Sequence, residues 1–124
     1  KVGLAGVLWG LRVMVGALSV VSVAAATAVL GYDLLANRPD IAVSGRNRTL
    51  RAVGLTGSAA AGDSAVDFKV GNVVVASLFN SATGFPAADA AMFKTAYHVP
   101  AGTPLSIIVT DAPATNALNS LVDI

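Results

Sequence analysis

The stretch Val13-Met14-Val15-Gly16-Ala17-Leu18-Ser19-Val20-Val21-Ser22-Val23-Ala24-Ala25-Ala26-Thr27-Ala28-Val29-Leu30-Gly31 carries no charge from end to end. A helix needs about 20 such residues to cross a hydrocarbon core near 30 Å. Read as a helix, the run lies between Trp9 and Tyr32, which at about 1.5 Å per residue stand about 35 Å apart. That is the separation of two aromatic belts at bilayer interfaces. Arg12, one turn inside Trp9, has a stem long enough to snorkel to the same interface. The expectation is therefore a membrane-spanning helix over residues 1–37, anchored by Trp9, Arg12 and Tyr32. Pro39 disfavours helical geometry at Arg38 and sets its end. Ala24, Ala26 and Ala28 offer the small-residue spacing of a signal cleavage site. The run is longer than the roughly 7–15 residues of a signal core, which favours a retained anchor. Gly6 and Gly10 form a GxxxG pair, a surface on which spanning helices approach closely.

Composition agrees with two unlike parts. Hydrophobic residues make up 55% of the chain and charged residues 12%, against about 25% charged in an ordinary soluble domain. A net charge of +1 provides no general attraction to nucleic acid. The chain has no Cys, which excludes disulfides and thiolate metal sites.

From residue 38 onward the period changes. Ile41-Ala42-Val43 and Thr49–Val53 read as short strands. Val66, Phe68 and Val70 alternate on one face of a third. Gly71-Asn72 is a two-residue hairpin signal, and Val73–Phe79 is the return strand. Residues 94–99 and 105–110 follow, with a last strand at 121–124. Strands at this spacing, without intervening helices, predict a small all-β antiparallel sandwich, jelly-roll-like, over residues 38–124.

Catalytic equipment is sparse. The single His98 cannot build a His-based metal cluster, and no GxSxG elbow accompanies it. It reads as an ordinary sheet residue. Asp63, Asp67, Asp89 and Asp111 could in principle hold calcium, but no DxDxDG loop is present. Arg46, Arg48 and Arg51 form a small basic cluster, read as a solvated strand edge rather than a phosphate site. Asn47-Arg48-Thr49 matches a glycosylation sequon. The expectation is no enzyme, no cofactor, no metal, and neither a nucleic acid nor a small-molecule substrate as partner.

In layout, the apolar N-terminal run, the Asn37-Arg38-Pro39 exit and the Gly/Ala/Ser/Thr-rich β region resemble the single-span membrane proteins of tailless icosahedral viruses with an internal membrane. The likeness implies a structural virion protein linking a lipid bilayer to a capsid shell, with the shell protein or copies of itself as partners. The layout is also similar to archaeal type IV pilin-like filament subunits. Arg12 departs from that plan, and so does the absence of an acidic residue near the start. A membrane-tethered binding module is a third reading. All three imply a single-pass membrane location, at a virion membrane or the cell surface. Work by contact would fall to the loops at 80–86 and 111–119, with Phe85 and Leu118 as apolar assembly contacts.

Overall fold

The computed structural model describes residues 18–86, 92–113 and 115–124. Within them the apolar run is not a helix. Leu18–Val23 is a strand, β1, and no helix among the described residues is long and apolar enough to cross a membrane. This corrects the spanning-helix expectation over residues 18–37. Trp9, Arg12, Gly6 and Gly10 lie outside the described residues.

The physical reason is a bend. The amides of Thr27 and Ala28 both donate to the Ala24 carbonyl at 2.9 Å, turning the chain over before a helix length accumulates. The two halves of the run then join different sheets. β1 pairs antiparallel with the last strand, β7 (Leu118–Asp123), from Leu18 opposite Asp123 to Val23 opposite Leu118. After the bend, residues 31–34 lie along β6 (Leu105–Asp111). Gly31 N donates to Val109 O (2.8 Å), Val109 N to Tyr32 O (3.0 Å) and Leu34 N to Ile107 O (2.8 Å). Tyr32 is thus part of the sandwich, its side chain packed against the core, and not an interfacial anchor. β-Branched residues suit a pleated, half-buried surface, and a short apolar run fits a buried strand as well as a helix.

The other strands are β2 (Arg48–Gly57), β3 (Ala65–Val70), β4 (Val73–Phe79) and β5 (Phe93–Val99). One sheet has the order β1-β7-β2-β5 and the other β4-β3-β6, with residues 31–34 along the free side of β6. All pairings are antiparallel. Counting residues 31–34 as a short strand, consecutive segments alternate between two four-membered sheets, except for the β3–β4 hairpin, which stays within one sheet; this is the strand order of a jelly roll, a double Greek key. The short strand expected at Ile41-Ala42-Val43 is instead one helical turn, α1 (Pro39–Ala42), with Pro at its start and Asp40 in its first turn. Both residue types favour a helix start.

Val66, Phe68 and Val70 point inward and are buried. They share one core with Val21, Leu34, Leu50, Val53, Ile107 and Val122, so residues on both sides of position 37 pack together. Phe68 is completely enclosed. Phe68→Ala is expected to lower unfolding free energy by about 3–5 kcal/mol, measured by urea denaturation, while the strand-type circular dichroism in dilute buffer is retained.

Candidate functional site at the loop end of the sandwich

The described parts of the connections, 24–30, 58–64, 80–86 and 115–117, gather at one end of the sandwich. Asn80, just past β4 and almost fully buried, ties two of them together. Its Oδ1 accepts from Ser64 N at 2.9 Å, and its Nδ2 donates to the carbonyls of Gly57 and Ala60 at 2.8 Å each. All the hydrogen-bonding capacity of the amide nitrogen is used. Gly57 is required for a steric reason. Its φ is +108°, and a Cβ there would stand 2.2 Å from the Ala117 carbonyl oxygen.

A second set of polar side chains fastens the 81–86 loop over the outer face of β2 and β7. The Gly84 carbonyl accepts from Thr56 Oγ1 and from Asn119 Nδ2, both at 3.0 Å. Ser22 Oγ donates to Asn119 Oδ1. Thr56 and Asn119 are register partners, as are Ser22 and Asn119. A polar row therefore runs across three strands, on the face opposite Val53 and Val122. Between the loops lies a cleft of about 560 Å³, bordered by Ser58, Thr83, Phe85, Asn116 and Asn119, with no charged residue in its lining. Phe85 is 72% exposed.

Of the two expected assembly contacts, Phe85 is on the surface and Leu118 is not. Leu118 is 0% exposed. It begins β7 and faces the core opposite Gly57 and Val23, so the loop expected through 119 ends earlier. Phe79, which the sequence also marks as an exposed apolar residue beside the 80–86 loop, is 67% exposed. Phe93, 52% exposed, and Val73 and Val74, about half exposed, escaped the sequence reading. The outward positions of the Val73–Phe79 strand were the available signal, since an apolar residue there has no core to enter.

The titratable groups are engaged locally. Asp63 is held below the usual carboxylate range, first by a hydrogen bond from Ser58, with further bonds from the 59–60 backbone and Ser64 outweighing desolvation. Arg48 donates to the carbonyls of Ile41 and Ala42, capping α1. Its burial pulls its pKa down, and its Nε is buried without a partner. Arg51 is paired with Asp123 at 2.6 Å. The three arginines thus serve separate places: Arg46 is exposed, Arg48 holds a helical turn and Arg51 an ion pair. Asp67 accepts from Ser77 Oγ at 2.6 Å. Asn47 is exposed and accepts from Ala101 N. His98 sits exposed on β5 opposite Thr49. Among the described residues no group of three His, Cys, Asp or Glu could hold a metal ion; Asp89 lies outside them. Comparison with protein-family models, with characterised proteins and with solved structures finds no match to the chain.

Two outcomes are expected. Asn80→Ala leaves the Gly57 and Ala60 carbonyls and the Ser64 amide without their partner, at roughly 1–3 kcal/mol for each buried group. It should lower stability by at least about 2 kcal/mol in urea denaturation. Asp63, with its pKa depressed on folding, contributes stability that is present above its unfolded value of about 3.9 and lost as pH falls through the folded one. Asp63→Asn should therefore flatten the decline in melting temperature below about pH 4.

Proposed function

We propose that this chain is a structural subunit that works by repeated contact within a larger protein assembly, with a jelly-roll unit of a virus-like shell as the specific form. The observation that carries the reading is the set of large apolar side chains left on the outside of a completed sandwich: Phe79, Phe85, Phe93, Val73 and Val74. Their inward neighbours already fill a closed core, so folding does not explain them. Large apolar side chains held out of the core are candidate contacts for another molecule, and Phe79 and Phe85 both lie at the loop end of the sandwich. Low charge density, with a net charge of +1, favours association over mutual repulsion. Jelly rolls serve as shell-forming domains and also as lectins, so the fold supports the reading by analogy only. A role in linking a shell to a bilayer is not part of the proposal, because residues 18–31 build the sandwich.

The test is electron microscopy of the purified chain across a concentration and salt series. Closed particles are expected for the natural sequence. Phe79→Asp with Phe85→Asp should abolish them while leaving the circular dichroism and melting temperature nearly unchanged, since both side chains are exposed. Helical filaments would favour the pilus-like alternative. A monomer at all concentrations would end the subunit reading.

A further inference from the structure

A two-sheet sandwich has four outer edges, and they are protected unequally. β5 has a break in register against β2 between Leu50 and Ala52, with Ala96 at φ +50° and Lys94 on the strand. β4 has a register break opposite Phe68 and Lys69. Bulges and edge charges of this kind disrupt pairing with further strands. Residues 31–34 form a short edge, opening on Gly31 at φ +83° and tied at Asp33, whose Oδ1 accepts from Leu35 N and Ile107 N. β1 has none of these devices. Its six residues, Leu-Ser-Val-Val-Ser-Val, pair with β7 in unbroken register. They contain no charge and no Pro, and among the described residues β1 is the outermost strand of its sheet. Its outer side presents a row of backbone donors and acceptors whose natural complement is another strand.

A second observation concerns the space beside that edge. A cleft of about 270 Å³ opens between β1 and the segment leading through Tyr32 to Arg38. Val21, Val23, Tyr32 and Leu34 give it apolar walls, and Thr27 and Asn37 contribute polar groups. It lies at the side where the two sheets part. A strand added to β1 would direct alternate side chains towards this cleft. Main-chain bonding along an edge, with pockets for alternate side chains, is how sheets capture strands.

We propose that β1 is a self-association edge, taking β1 of a second copy in antiparallel register about a two-fold axis. This inference rests on the subunit reading for the identity of the partner. The charge pattern supports a copy of the same chain. β1 is neutral, and the one charged residue lining the cleft, Arg38, is already paired with Asp40 at 3.1 Å. Two identical strands therefore meet without like-charge repulsion. With the axis at Val21, Val20 faces the partner's Ser22, and Ser19 faces the partner's Val23. The inward side chains of each copy, Val21 and Val23, are then directed at the shared cleft. The pairing is isologous, so it closes at two copies and joins two four-stranded sheets into one of eight strands.

The chain has no native Cys, so an engineered pair reports cleanly. Val20→Cys with Ser22→Cys should yield a disulfide-linked dimer under mild oxidation, seen on a non-reducing gel. The same pair moved to the β4 edge, Val75→Cys with Ser77→Cys, should not. Leu18→Lys with Ala24→Lys, two exposed positions that face each other across the proposed axis, should shift sedimentation from dimer to monomer with little change in melting temperature. A chain lacking residues 1–17 should still form the β1 cross-link. Absence of the cross-link in a protein that does assemble overturns the inference and leaves the subunit reading standing. A cross-link that appears only once residues 1–17 are removed also overturns it, by making that segment the occupant, and loss of the cross-link on their removal overturns it by making that segment what brings the copies together. Cross-linked dimers without any particle would uphold the edge and end the shell reading.

Discussion

The bend at Ala24–Ala28 is the constraint on which the architecture turns. Two amides closing on one carbonyl at 2.9 Å send a single uncharged run to both sheets, β1 to one and residues 31–34 to the other. Without the bend, β7 would lose its outer partner and β6 would present a bare edge. With it, Val21 and Leu34 enter one core from opposite layers. Asp33 secures the second half, since one carboxylate oxygen receives the amides of Leu35 and Ile107. That pair of bonds fixes where the segment meets β6, and hence which of its side chains turn inward.

Polar residues in this chain are used mainly to hold backbone in place. Asn80, Asn119, Thr56 and Ser22 act at the loop end, while Arg48 spans two carbonyls near the other end. Asn80 in particular satisfies groups that would otherwise be buried without partners, a loss of about 1–3 kcal/mol apiece. The loops so fixed then carry apolar side chains outward, as the 81–86 loop does with Phe85. A fixed loop presenting Phe85 and a strand end presenting Phe79 lose little freedom on meeting a partner, which is the condition under which contact area becomes affinity.

Parts of this fold can be read from the sequence because one face of a strand is wet and the other dry. Val66, Phe68 and Val70 alternate with Asp67 and Lys69, and Gly71-Asn72 closes the hairpin to β4. The strand at 105–111 is legible for the same reason. β2 and β7 obscure the signal, since they are buried on both faces over most of their length. The outward positions hold Gly54, Thr56 and Asn119, which look like loop residues until the 81–86 backbone is seen lying over them. That is why Leu118 reads as a surface contact and is a core residue. The run at 13–31 misleads in the opposite direction. From Leu18 on, an apolar edge strand that buries only Val21 runs straight into a turn of alanines, and hydropathy alone registers neither the turn nor which side chains stay outside. For the candidate site, Phe85 is legible because it lies in a turn-rich loop. The cleft around it is not, since its walls come from segments nearly sixty residues apart.

The position of β7 sets an order in time. Among the described strands β7 comes last in sequence yet lies between β1, the first, and β2, so that sheet stays in two pieces until residues 118–123 have been made. Synthesis at about 5–20 residues per second leaves the nascent chain for seconds with β1 and β2 lacking their shared neighbour. During that interval the neutral Leu18–Val23 strand is exposed along both sides. Copies made side by side on one message would meet with this strand open along both sides.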